Sequence, residues 1–208
     1  MTRAMMAGMK RQSKSEKTRS EIMAAAVRVF TREGYANTDV SMIIAEAVKG
    51  RGTFYLYFKD KAEILRDLLK QFHIDLADGG IIGPEHDPEQ MPVILSILWE
   101  TYRKHSGTFR ALFQAAAVDP DFAVIYASIR ELARRDFRSM IKRSPSAIFK
   151  QPQEIHLGAA ALEAMVNTSM YDWLATNADH QITKSDQDAA FHVVIRIMTS
   201  IINPPDCF

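Results

Sequence analysis

The chain has 208 residues, 26 Lys/Arg against 25 Asp/Glu, and one cysteine, Cys207. That length can bury a core without staples. A lone thiol excludes an intrachain disulfide and fits a reducing compartment, and no apolar run nears the ~20 residues of a bilayer span. The formal charge of +1 hides an asymmetry: residues 1–61 hold 12 Lys/Arg and 6 Asp/Glu, a balance of +6, and residues 62–208 hold 14 and 19, a balance of −5. A cationic segment that meets a polyanion is one reading, and a chance fluctuation in surface charge is the other. The start lacks an apolar stretch long enough for a secretory signal, so a cytoplasmic protein with no membrane partner is expected.

In chain order, residues 1–14 read as a flexible basic arm. Thr18 and Glu21 form a capping box for a first helix, with Ile22, Ala25, Val29 and Phe30 at helical spacing. Gly34 ends it as a left-handed cap. Thr38 or Asp39 caps a second helix to about Ala47, carrying Val40, Ile43, Ile44 and Ala47 inward. Val48–Gly50 make a turn with Gly50 and Gly52 as its flexible points, and a third helix covers about Arg51 to Phe58. Asp60, with Glu63, caps a longer helix through Ile64, Leu65, Leu68, Leu69 and Phe72. Glycine and proline then concentrate over Asp78–Pro92, the expected hinge between two domains, 15–76 and 77–208. Further helices are expected at Val93–His105, Thr108–Val118, Phe122–Arg143, Gln153–Asn177 and Asp186–Ile202. The loops between them fall at 106–107, 119–121, 144–152 and 178–185. No segment alternates as a strand would, and the fold class is all-α.

A short helix, a tight turn and a second short helix make a helix-turn-helix, whose second helix enters the DNA major groove. Arg51 is the long donor at that helix's start, able to pair with guanine O6 and N7. Gly52 lets the backbone come close, and Thr53 offers a methyl or hydroxyl to a base edge. Phe54 and Phe58 face inward; Tyr55 and Tyr57 project toward the backbone walls. Lys61, at a helix N-terminus, suits a phosphate, and so do Thr38 and Ser41 at the start of the second helix. The competing reading makes TFYLYF an ordinary apolar helix and Arg51 a solvated charge.

Residues Thr18 to Leu69 resemble the DNA-binding domain of TetR/AcrR-type transcriptional regulators. The resemblance rests on TR early in the first helix, AAAVRVFTREGY, the threonine before the second helix, and GTFYLYFKDKAEIL. It implies an N-terminal three-helix DNA-binding domain, with its motif at about 39–58, and an all-helical C-terminal body for ligand binding and dimerisation. It implies a homodimer on double-stranded operator DNA, released by a small molecule. Base contacts are implied at Arg51, Gly52, Thr53 and Tyr55, and phosphate contacts at Thr38, Tyr57 and Lys61. The chain departs from the pattern at Val48-Lys49-Gly50, where glycine then valine is usual, and at Ile44 and Leu56.

In the body, Trp99, Tyr102, Phe109, Phe113, Tyr126, Met165 and Tyr171 are candidates for an apolar effector pocket. Arg103, Asn167, Gln114 and Arg130 are candidates for its polar groups. Ordinary bundle core is the alternative for each. Gly158, Ala159, Ala160, Ala161 and Ala164, with Val193, Val194, Ile197, Ile201 and Ile202, suggest that the last two long helices pair with a second copy as a four-helix bundle. An internal core is again the alternative. The six histidines show no metal-ligand spacing, and neither a phosphate loop nor a nucleophile elbow occurs. No catalytic residue, metal or cofactor is expected.

Overall fold

The computed structural model describes residues 3–81, 86–175 and 183–204. The expectations for Cys207, for residues 82–85 of the Gly/Pro break and for most of the 178–185 loop lie outside these residues. Among the described residues nine α-helices follow one another: α1 (Arg3–Glu33), α2 (Val40–Ala47), α3 (Arg51–Tyr55), α4 (Lys61–Asp78), α5 (Met91–Lys104), α6 (Ser106–Ala116), α7 (Pro120–Arg143), α8 (Pro152–Met170) and α9 (Lys184–Ile202). A 3₁₀ turn precedes α5 at Pro88–Gln90, and a π-helical turn follows α8 at Tyr171–Ala175. No strand occurs among the described residues, as the all-α reading requires.

Local chemistry explains where the elements start and stop. α1 begins at Arg3, not Thr18; the Thr18 hydroxyl donates to Lys14 O (3.0 Å), a bond made inside a helix. Residues 3–17 contain no proline, and most are strong helix formers, so nothing stops the winding. Gly34 ends α1 with φ +80°, as expected. Asp39 caps α2 by accepting from the Met42 N–H (3.0 Å). Asp60 caps α4 by accepting from the Glu63 N–H (2.7 Å), while Glu63 reaches back to the Lys59 N–H (2.8 Å). One expected loop is shorter than the sequence suggests: α5 and α6 are separated by His105 alone, and α6 begins at Ser106, inside the expected 106–107 loop.

The turn between α2 and α3 corrects the expectation that Gly50 supplies its freedom. Gly50 has an ordinary extended backbone, φ −75° and ψ 150°, whereas Val48 takes the left-handed conformation at φ 52°. A β-branched side chain there crowds its own carbonyl. The geometry holds because the Val48 and Lys49 N–H groups close the helix end on Ala45 O (3.1 Å) and Ile44 O (3.3 Å). Val48 is 87% exposed, so its side chain contributes almost no packing. Val48→Gly therefore raises stability by about 0.5–1 kcal/mol, the relief of strain outweighing the looser unfolded chain. Thermal unfolding then shifts upward by about 2–3 °C.

Among the described residues two large buried clusters carry most of the fold. The first gathers Ile22, Val29 and Phe30 of α1, Ile43 of α2, Phe54 and Phe58, and Ile64 and Leu65 of α4. It continues past the Gly/Pro break into Ala111, Leu112 and Ala115 of α6 and Phe122 of α7. Gly107 lets α6 lie directly on α1, because a Cβ there would overlap Val27 and Thr31. The expected border at Asp78–Pro92 is thus crossed by shared packing. Asp75 of α4 adds a polar tie, accepting from Lys104 and from His105 (2.9 Å) at the α5–α6 junction. These partners hold its carboxyl well below the usual carboxylate range. The second core joins α5, α7, α8 and α9 through Trp99, Met140, Leu162, Phe191 and Met198.

Between α7 and α8 lies a buried carboxylate of α8. Glu163, 2% exposed, accepts from Arg130 Nε (2.8 Å) and Nη2 (3.0 Å) and from Arg134 Nε (3.1 Å). The Asn167 amide donates to Glu163 (3.3 Å) and to the Tyr126 hydroxyl (2.8 Å). An anion removed from water is tolerated when charged donors surround it in this way.

Candidate nucleic-acid interface

α3 is only five residues long, too short to stand alone. It is held by its neighbours: Phe54 and Phe58 are fully buried in the first core, and the Tyr57 and Phe58 N–H groups continue the winding onto Phe54 O (2.9 and 3.0 Å). The guanidinium of Arg19 lies over the Phe58 ring at 5.0 Å and pairs with Asp67 of α4. Pinning two aromatics inward aims the intervening residues outward.

The expected base-reading residues emerge together on that outward side. Arg51, Gly52 and Tyr55 are exposed and Thr53 is half-buried. Arg51 sits 5.9 Å over the Tyr55 ring, which steadies its guanidinium. The space around Gly52 is open: a Cβ there would meet nothing within 4 Å. Leu56 is exposed beside them, and Ser41, also exposed, donates to Asp39 (2.5 Å). Tyr57 is half-buried against the core.

Two expected phosphate ligands are placed differently. Thr38 is 2% exposed, and its hydroxyl donates to Gly34 O (2.7 Å), so it shapes the loop into α2 instead of reaching outward. Lys61 turns its ammonium inward onto three carbonyls: Tyr35 O (2.7 Å), Thr38 O (2.6 Å) and Ala36 O (3.3 Å). Burial pushes it below the usual lysine range, with Asp39 opposing. A capping pattern signals a lysine at a helix start, but not the distant carbonyls that capture it. Sequence reasoning also missed Lys49, whose ammonium pairs with Glu21 of α1 (2.7 Å) and anchors the turn; a separation of 28 residues leaves no local signal.

The profile of bacterial regulatory proteins of the tetR family matches residues 22–68, which enclose this whole arrangement. The chain carries a TetR-family helix-turn-helix domain. A repressor of Streptomyces coelicolor, the HTH-type transcriptional repressor SCO4008, is 31% identical over 98 residues, 47% of this chain and 49% of that protein. The HTH-type transcriptional repressor NicS of Pseudomonas putida is 26% identical over 98 residues, 46% of each chain. The chain thus spans about half the length of these relatives. Over the whole chain, a tetR-family regulatory protein from Rhodococcus RHA1 superposes with a TM-score of 0.68 at 18% identity, covering 91% of this chain and 99% of that one. This last likeness establishes a shared fold.

Behind the TetR-type head, the expected effector residues separate into groups. Trp99 stacks on Phe191 (4.7 Å) and edges Trp173 beside a narrow cavity of about 10 Å³, room for about one water. The Trp99 indole N–H is buried with no hydrogen-bond partner among the described residues. Tyr102 stacks on Phe109 (3.8 Å), both against Phe72 of α4. Arg103 pairs with Glu100 and Met165 packs on the second core. Phe113, Tyr126 and Tyr171 meet through Phe113, at 5.9 and 4.2 Å, with Asn167 bonded to Tyr126. There a cleft of about 290 Å³ opens between α6, the π-helical turn and residues 33–37 of the head, lined by Glu33, Asn37, Phe113, Gln114 and Tyr171. Gln114 crosses it, its carbonyl accepting from the Tyr35 N–H (2.6 Å).

The expected dimer stripe also divides. Val194 and Ile202 point into the second core, Gly158 and Ala159 are buried, and Gly158 is covered by the Phe149 ring. Val193 and Ile197 of α9 and Leu157 and Ala161 of α8 remain exposed, each pair one helical turn apart. No helix among the described residues is long and apolar enough to cross a membrane. No group of three or more potential metal ligands occurs among them either.

Proposed function

We propose that the chain is a transcriptional repressor that works in the cytoplasm as a homodimer on palindromic double-stranded DNA. A small hydrophobic or aromatic effector releases it. The observation that carries this reading is the outward cluster of Arg51, Gly52, Thr53 and Tyr55 on a helix pinned by two buried phenylalanines. The repressor names of the relatives support the sign of regulation.

The exposed apolar residues of α8 and α9 are the surface for a second copy, which would set two reading helices about 34–36 Å apart, one DNA turn. The effector's place is the cleft beside Phe113, Tyr126, Tyr171 and Asn167. A molecule seated there presses on Gln114 and, through Tyr35, on the loop that carries α2. It releases DNA to the extent that it binds the two head positions unequally.

The test is a gel shift with the DNA upstream of the gene. The wild-type protein shifts it at nanomolar to micromolar concentration against excess random duplex; no sequence preference at any salt concentration counts against the reading. Arg51→Ala costs roughly 1–3 kcal/mol on the preferred site and relaxes the choice of base there, while binding to random duplex changes little.

A further inference from the structure

α1 begins some nineteen residues before the matched domain, and its extra turns are strongly cationic. Within residues 1–20 the sequence holds Arg3, Lys10, Arg11, Lys14, Lys17 and Arg19 against a single acid, Glu16. At about 100° per residue, Arg3, Lys10, Lys14 and Lys17 fall in one sector of about 60°. Glu16 lies about 130° round the helix from its middle, on the same spacing.

Further along α1 the same sector holds Glu21, Arg28 and Arg32. Each of these meets the helix-turn-helix: Glu21 pairs with Lys49 in the turn, and Arg28 and Arg32 pair with Glu46 of α2 (2.6 and 3.2 Å). The face that α2 and the turn cover from Glu21 onward therefore continues toward the N-terminus as a cationic stripe. It starts beside Lys49, two residues before Arg51, and Lys14 and Lys17 on it are exposed. From Arg3 to Lys17 it runs about 21 Å at 1.5 Å per residue.

We infer that this stripe is a second nucleic-acid contact, laid along the phosphates that flank the segment read by α3. The inference rests on the DNA-binding reading above. Its occupant is set by charge: a row of cations with no acid between them, opening next to the reading helix, matches a continuous row of phosphates. Such contacts strengthen binding to every sequence and carry no base preference.

The test compares the full chain with the triple variant Lys10→Gln/Lys14→Gln/Lys17→Gln, with Lys142→Gln as a control in the body. Binding to the preferred duplex and to a random duplex is followed by fluorescence anisotropy from 50 to 200 mM salt. Losing three phosphate contacts per chain makes the slope of log K against log salt shallower by about 2.7 per chain on both duplexes. Over this range the wild type then loses about 40-fold more affinity than the triple variant for each chain bound. Sequence preference and helix content stay as in the wild type, and Lys142→Gln has the wild-type slope. Equal slopes in the wild type and the triple variant overturn the stripe while leaving operator recognition intact. A wild type that binds both duplexes equally sinks operator recognition, and the slope difference on random duplex still decides the stripe.

Discussion

Glu163→Ala lowers the stability of the folded chain by about 2–3 kcal/mol, read as a lower urea midpoint with an unchanged m-value. The carboxylate binds two guanidinium groups and the Asn167 amide, and removing it leaves Arg130 and Arg134 facing each other between α7 and α8. A fully buried pair broken in this way loses 3–5 kcal/mol. Here each arginine is about one-third exposed and can turn partly to water, which reduces the figure. Glu163→Gln keeps the shape and part of the hydrogen bonding, so it falls between the wild type and the alanine variant. Replacing Arg130, Arg134 and Glu163 together by leucine recovers most of the loss, because no charge then stays buried. If Glu163→Ala unfolds at the wild-type midpoint, the triad contributes nothing and the α7–α8 contact is held by its apolar residues alone. The same substitution frees Asn167 and Tyr126 beside the proposed effector cleft, so its effect on ligand release is measured in parallel.

The head was legible because its signals are local. Asp39 and Asp60 mark helix starts by accepting from the N–H three residues on, Gly34 announces an end, and Phe54 and Phe58 share a face by spacing alone. What the sequence concealed are contacts between distant positions. Glu163 sits in an apolar run, AALEAMV, and an acid there is a mark of a buried partner, but only packing against α7 identifies Arg130 and Arg134. The Gly/Pro break at 78–92 suggested a flexible joint. It could not reveal that α6 returns to lie on α1, because the small residues that permit this, Gly107, Ala111 and Ala115, read equally well as ordinary helix. The aromatic residues of the body stood as candidates for a pocket or for core but were not sorted between the two, since helical spacing says which face a ring occupies and not which helix it meets. Val48 shows the limit from the other side: glycine is the usual guide to a left-handed residue, and here the fold forces the conformation on a valine two residues before a glycine that does not need it.

Lys61→Met lowers stability by about 2 kcal/mol and weakens DNA binding to all sequences alike, two effects with separable causes. Methionine keeps an apolar stem near the Tyr35 ring, over which the Lys61 ammonium lies at 4.6 Å. It supplies no donor to Tyr35 O and Thr38 O, which then lose charge-assisted hydrogen bonds in a partly buried place. Those carbonyls belong to the loop that sets the start of α2, and the Tyr35 N–H is the group held by Gln114. The lysine therefore fixes the loop through which the body meets the proposed reading head, and it also adds a positive charge to that head. Lys61→Arg separates the two roles. It retains the charge, so the salt dependence of DNA binding stays near the wild-type slope. Its planar fork cannot direct N–H groups at three carbonyls spread round one ammonium, so part of the stability is still lost. Urea unfolding of the three proteins, read beside their affinity for random duplex, distinguishes the outcomes. Wild-type stability in Lys61→Met would show that the inward bonds are incidental, returning this side chain to the purely phosphate-binding role that its position at a helix start suggests.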